Sequence, residues 1–378
     1  MKWETVEIGQ LGEVITGNTP PRKNPELYGD FIPFIKPTDM EIDRRYTPNP
    51  EECYSELGYE KYRKSLIPKG ATCVVTIGSI GKKMTQAFTD CFINQAVNAI
   101  IPNQNYDNDF VYYLLKNNLD KVKGLDSGTS SGRENVSKSA FSSIEVKVTK
   151  HLPTQRRIAS ILSAYDDLIE NNLKRIKLLE EKASLMYKQL SVELSKSEKI
   201  NLYDFADIQM GYAFKADAFN ETGDGTPIIR IRDIPNQITK SYTTQEVDPS
   251  YFVEKGDLLI GMDGEFHMNE WFGQRGYLVQ RVCRLRSKNP LYQSFLWQAL
   301  QEPIHYYETT ITGATVAHLG KKHLEEIFIQ KPIKIMHSNL EEMNVMRKLK
   351  INLSEQNSKL REARDILLPR LMSGVIEV

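Results

Sequence analysis

The side chains of this sequence best suited to gripping a ligand lie in four polar, glycine-bearing loops, and each loop is met twice. The first runs from Thr16 to Lys23 (TGNTPPRK), with Thr19 and Arg22; its counterpart, Gly211 to Lys215 (GYAFK), offers Tyr212 and Lys215. The second pairs Lys36 and Asp39 with Arg230, Arg232 and Asp233. The third sets Ser79, Lys82 and Lys83 (SIGKK) against the run Asp263 to Trp271 (DGEFHMNEW), with Asp263, Glu265 and Trp271. The fourth sets Asp126 to Lys138, with Thr129, Ser130 and Arg133, against Thr312 to Lys322, with Thr312, Thr315 and His318. Asn94 and Gln95 in one apolar run, and Gln280 and Arg281 in another, complete the set. Arg and Lys grip the two acceptors of guanine, Asn and Gln pair bidentately with adenine, and Asp and Glu accept from cytosine; Ser, Thr and glycine amides suit phosphates. One such loop alone reads as a solvated turn. Matching slots filled differently in two copies fit two related readers of duplex DNA. Gln95 and Gln280, placed within strand-like runs, read equally well as satisfied structural amides.

Motifs for covalent chemistry are scarce. The chain has no GxxxxGK[ST] phosphate loop, no HExxH, no NPPY and no glycine-rich loop of the methyl-donor-binding kind. His318 and His323, beside Lys321 and Lys322, lack a third ligand and suit a surface or DNA-facing pair better than a metal site. Glu145 and Lys147 form only a dipeptide pattern of the sort that chance supplies.

Behind the loops stands an internal repeat. Ile8–Gly17 aligns with Leu202–Gly211 and Pro33–Met40 with Pro227–Ile234, both at an offset of 194; Lys69-Gly70 answers Lys255-Gly256 at 186, and Gln95 answers Gln280 at 185. Each copy contains short Val/Ile/aromatic runs between turn residues (Cys73–Gly81, Phe92–Pro102; Asp257–Phe266, Gly276–Leu285), which predict strands, with helices at Asn108–Asn117 and Tyr292–Gln301. Each copy then closes with a long charged segment of helical period. In Thr154–Leu194 a seam reads Ile158, Ile161, Tyr165, Leu168 and, after a one-residue shift at Asn172, Ile176, Leu179, Ala183, Met186, Leu190. The C-terminal segment shows Leu353, Leu360, Leu367 and then Leu371. Such seams often mean plain packing. With a globule before each, they also suit an antiparallel pair acting as a spacer between two readers, and the internal two-fold suits a bipartite target.

Composition narrows the class. At 378 residues the chain is long enough for two cores, and its 40% hydrophobic and 26% charged residues are those of an ordinary soluble protein. Cys53, Cys73, Cys91 and Cys283 form no CxxC pair, the N-terminus has no apolar run, and no stretch of about 18 apolar residues occurs, so a reduced, cytoplasmic setting is expected. The 49 basic residues equal the 49 acidic ones, and the segment 201–335 carries 14 basic against 17 acidic. Bulk charge therefore cannot hold DNA; partner subunits must supply much of the non-specific affinity.

In TGNTPPRKNPELYGDFIPFIKPTDM (16–40), LPTQRRIASILSAYDDLIENN (152–172), GYAFKADAF (211–219), GTPIIRIRDI (225–234), GDLLIGMDGEF (256–266), GATVAHL (313–319) and LREARDILLPRLMSGVI (360–376), the chain resembles the specificity subunits of type I restriction-modification systems. The resemblance spans the whole length. It implies an α+β chain of two tandem α/β target-recognition domains, at 1–150 and 199–335, separated by two long conserved helices, at 151–198 and 336–378, that form an antiparallel coiled coil with pseudo-two-fold symmetry. It also implies a non-catalytic subunit that binds double-stranded DNA, two methyltransferase subunits and motor-endonuclease subunits. S-adenosylmethionine would be bound by the methyltransferase, with no cofactor or metal in this chain. One departure stands out: the second helix lacks an LPTQRRI-like entry, which leaves open whether His337 and Ser338 begin it. An enzyme carrying its own methyl transfer or cleavage, and a scaffold that binds only proteins, are the competing classes.

Overall fold

The computed structural model describes residues 3–125, 134–311 and 317–378. The chain forms two compact units, one of residues 1–170 with 359–378, the other of residues 171–358, so each unit holds part of both long helices.

In the first unit, β-branched runs bounded by turn residues become strands because such side chains pack well on a pleated surface. One sheet has the order Gly12–Thr16, Val97–Pro102, Thr72–Val75, Met84–Gln86, antiparallel throughout. A second runs Tyr28–Gly29, Glu52–Tyr54, Ile32–Ile35, Phe92–Ile93, with only the last pair parallel. Trp3–Glu7 pairs with Glu145–Thr149 just before the first long helix. The core joins Val74 and Ile100 of the first sheet to Phe110, Tyr113 and Leu114 of the helix Asn108–Asn117, and to Ile158, Leu162 and Leu371 of the long helices.

The second unit repeats this plan. Its sheets run Ala206–Met210, Val282–Ser287, Leu258–Gly261, Met268–Glu270, and Phe219–Asn220, Tyr242–Thr243, Thr226–Ile229, Gly276–Leu278, Phe252–Val253. Again one pair, Thr226–Ile229 with Gly276–Leu278, is parallel. The helix expected at Tyr292–Gln301 spans Gln293–Thr310: Pro303, a residue that usually ends a helix, is carried within it.

The first long helix spans Leu152–Leu194 and the second His337–Met372, the latter entered through a 3-10 turn at Lys334–Met336. His337 therefore opens the helix. Within unit one, Ile158 and Leu162 share a core with Leu368 and Leu371, and the Arg364 guanidinium donates to Asp166. Within unit two, Asn172 Nδ2 donates to Asn357 Oδ1 at 2.9 Å, Lys182 pairs with Glu342, and Ala183 and Met186 pack on Met343 and Met346. Rising numbers on one helix meet falling numbers on the other, so the pair is antiparallel in both units.

The seam corrects the reading made from apolar residues alone. Leu168 is 52% exposed, while its neighbour Ile169 is buried. The inward series is Gln155, Leu162, Ile169, Ile176, Ala183, Leu190, spaced by seven without any shift at Asn172; Ile176 and Leu190 are half-buried and the others buried. On the second helix Leu353 is buried and Leu360 and Leu367 half-buried, but an interleaved series of Met343, Lys350, Asn357, Arg364 and Leu371 is buried throughout. Three of those five are polar. A search for hydrophobic spacing passes over them, although polar residues at such positions are what fixes register and orientation in coiled coils.

Candidate nucleic-acid interface

In each unit the loops gather around one tight turn between consecutive strands. In unit one the turn is Asn94–Ala96, between Phe92–Ile93 and Val97–Pro102. The first loop leans on it through Gly17 N–H to Val97 O (3.1 Å) and Asn18 N–H to Ile93 O (2.9 Å). A Cβ at Gly17 would fall 2.1 Å from Ile93 O, so only glycine permits this approach. Thr19 Oγ1 donates to Gln95 Oε1. Tyr54 and Tyr28 hold the loop from below, donating to the carbonyls of Asn18 and Pro20. From the other side Thr76 N–H donates to Ala96 O and Gly78 N–H to Glu134 O, and Lys83 Nζ reaches Pro37 O at 2.8 Å.

Unit two builds the same cluster around Val279–Arg281. Tyr212 N–H donates to Leu278 O, Gln280 N–H to Tyr212 O, Met262 N–H to Arg281 O and Gly264 N–H to Ala317 O. Gly211 repeats the close approach, with a Cβ position 2.0 Å from Val279 O. Gln95 and Gln280 are exposed turn residues rather than amides within strands, although the Gln95 amide is engaged by Thr19. Asn94 differs: its Oδ1 accepts from Ala96 N–H and shapes the turn.

The charged side chains divide into free and engaged ones. Ser79, Lys82, Lys215, Arg232 and Glu265 are exposed, although Arg232 also reaches Ser241 Oγ at 3.3 Å and Glu265 lies 3.3 Å from His267 Nε2. Arg22 pairs with Glu52 (2.7 Å), and Lys36 with Glu51 (2.8 Å) and Glu52 (3.2 Å). The Arg22 hydrogen bond, with help from Lys36, lowers the Glu52 carboxyl. Partial burial opposes the charge on Lys36, but Glu51 and Glu52 outweigh it and raise its pKa. Burial lowers Lys83. Arg230 is half-buried with its guanidinium 4.8 Å above the Phe219 ring, and its pKa is lowered by burial and by Arg232. Asp39 and Asp233 close equivalent turns, accepting from Lys36 N–H (2.7 Å) and Arg230 N–H (2.9 Å), and so act on the backbone. Tyr212 is half-buried against Phe214 and Tyr251. Asp263 receives His318 Nδ1 at 2.6 Å and Arg281 Nε at 3.2 Å.

Trp271 must be withdrawn from the candidates. It is 0% exposed, packs with Ile229, Ile234 and Leu278, and its Nε1–H donates to Gln274 O. The polar run that contains it folds as the strand Met268–Glu270, which delivers the indole to the core. Thr129, Ser130, Arg133, Thr312 and Thr315 lie outside the described residues. His323 accepts from Gly320 N–H, which caps its own helix. Among the described residues no group of three or more His, Cys, Asp or Glu side chains is placed to hold a metal. No sequence pattern singles out Glu52, which lies 30 residues from the arginine it restrains.

Two copies of one loop cluster on two copies of one fold define a duplicated recognition module. The sequence model described as "Type I restriction modification DNA specificity domain" matches residues 1–181 and 195–353, and the chain belongs to that family. It is 33% identical over 135 residues to the EcoBI specificity subunit of Escherichia coli, an alignment covering 35% of this chain and 28% of that protein. With the HindI specificity subunit of Haemophilus influenzae it shares 29% identity over 194 residues, 51% of this chain and 42% of that one, so the match spans less than half of either relative. The MjaIX specificity subunit of Methanocaldococcus jannaschii aligns over all of this chain and 94% of its own, at 23% identity. Among solved structures, the S subunit of a type I restriction-modification system from M. genitalium shares the fold, with a TM-score of 0.52 at 17% identity, covering 98% of this chain and 95% of that one.

Proposed function

We propose that this chain is the DNA-specificity subunit of a type I restriction-modification complex. Each unit reads one half of a bipartite, interrupted site, and the helix pair sets the gap and docks two methyltransferase subunits, which motor-endonuclease subunits join. The chain itself is non-catalytic. S-adenosylmethionine belongs to the methyltransferase, and the complex works in the cytoplasm. The observation that carries this reading is the loop cluster built twice on one backbone plan with different side chains at its tips: Gln95 and Ala96 in one unit, Gln280 and Arg281 in the other. Balanced charge fits a subunit whose partners complete the DNA-binding surface. No helix among the described residues is long and apolar enough to cross a membrane.

Genome-wide mapping of modified adenines in cells expressing the methyltransferase with and without this chain tests the proposal. A two-part motif that appears only with the chain is expected. Methylation that does not depend on the chain would overturn it.

A further inference from the structure

We propose that Arg281, held by Asp263, is a guanine-reading group of the second unit. The inference rests on the function proposed above and assigns one base within it. Arg281 stands on the turn between Gly276–Leu278 and Val282–Ser287, its carbonyl fixed by Met262 N–H and its side chain 56% exposed. Asp263 is itself fixed. It forms an antiparallel bridge with His318, its Oδ1 lies 2.6 Å from His318 Nδ1, and the next residue, Gly264, donates to Ala317 O. The carboxylate comes nearest the guanidinium at Nε, 3.2 Å away, and among the described residues neither terminal nitrogen donates a hydrogen bond.

That division of the guanidinium matters. A carboxylate on Nε restrains a long, mobile side chain while leaving the Nη1/Nη2 edge for a ligand with two acceptors. In the major groove that ligand is the O6/N7 edge of guanine. A phosphate contact is disfavoured because the Asp263 carboxylate, 28% exposed, would repel the anion, whereas the guanine edge carries no net charge. At the matching turn of unit one the residues are Gln95 and Ala96, with Thr19 on the Gln95 amide. That turn has no guanidinium, and its amide suits adenine instead.

The complex with methyltransferase subunits provides the test, after methylation mapping has defined the wild-type site. Arg281→Ala should relax a single G·C position in one half-site, lowering discrimination there roughly ten- to hundredfold and leaving the other half and the gap unchanged. Replacing that guanine with 7-deazaguanine should weaken wild-type binding by a similar factor and leave the Arg281→Ala complex indifferent. Asp263→Asn should lose discrimination at the same position while keeping overall affinity within a few-fold. Gln95→Ala should act on the opposite half-site. The proposal fails if Arg281→Ala weakens all sequences equally, as a phosphate contact would, or if no guanine of the site responds to the 7-deaza replacement. If the wild-type complex binds no sequence preferentially, the specificity-subunit reading fails first and takes this assignment with it.

Discussion

Replacing Arg364 by methionine tests how the first unit holds its section of the helix pair. Arg364 is fully buried and bonds Asp166, itself 3% exposed at the side chain; the second carboxylate oxygen of Asp166 accepts from Tyr113 Oη at 2.6 Å. Methionine preserves most of the apolar stem, so the cost measured is that of stranding a buried carboxylate rather than opening a cavity. Removing one partner of such a pair costs about 3–5 kcal/mol. Native-state hydrogen exchange resolves the units separately: amides of the buried strand Thr72–Val75 should lose that much protection, and those of Leu258–Gly261 in the second unit serve as the internal control. Replacing the whole group with apolar residues (Tyr113→Phe, Asp166→Leu, Arg364→Met) should restore most of the loss, because no buried charge or hydroxyl is then left unpaired; Asp365, the other carboxylate on Arg364, is half-exposed and keeps its water. A single variant that loses less than about 1 kcal/mol, or a triple variant no more stable than the single, would refute the reasoning.

Three further outcomes can be measured, two at the cysteines and one at the exposed Arg232. Burial pushes the thiols of Cys91 and Cys283 from 9.0 up to about 12, and Cys73 well above its ordinary value; Cys53 is only half-buried. Iodoacetamide at pH 8 should therefore label Cys53 alone in the folded protein, and mass spectrometry showing a second labelled cysteine would contradict the packing. Because the folded thiols titrate above the unfolded ones, their contribution to stability is intact below about pH 9 and is lost as pH rises toward 12, so the urea midpoint should be lower at pH 10 than at pH 8. In the DNA-binding complex, Arg232→Ala should relax recognition of one half-site by about 1–3 kcal/mol. An equal loss of affinity for every sequence would place Arg232 on phosphate instead.

What the sequence made legible was whatever rests on local pattern. Strands such as Thr72–Val75 and Leu258–Gly261 announce themselves by apolar runs between turn residues, and the offsets of the repeat predict that both copies fold alike. The helical period was legible too, but its phase was not. At Asp166, Asn172, Lys350, Asn357 and Arg364 the buried position is polar, so the nearest exposed leucine, Leu168, attracted the seam. Trp271 failed for the converse reason: polar neighbours in DGEFHMNEW disguised a strand whose end enters the core. The ionic restraints on the loops, Glu52 on Arg22 and Asp263 on Arg281, join residues 30 and 18 positions apart, and only the tertiary fold brings them together.

The polar rungs bear on whether the helices act as a ruler. Asn172 with Asn357, and Lys350 with Glu180 and Glu270, leave this stretch of unit two little freedom to slide, since any slip strands a buried amide or a nearly buried ammonium. Lys182 and Glu342 are different, an ion pair about half-exposed on both sides and worth little to stability. An insertion belongs there. Four residues after Lys182 lengthen the first helix by about 6 Å, a little over one turn. Beyond the insertion the facing residues are Ala183, Met186, Met343 and Met346, and three methionines repack against a shifted partner more readily than branched side chains would. No reading loop changes. The variant should therefore methylate the same two half-sites across a longer run of unread bases, as mapping of modified adenines would show. The original gap at full activity would mean that helix length does not set the spacing, and the spacer role would have to be given up.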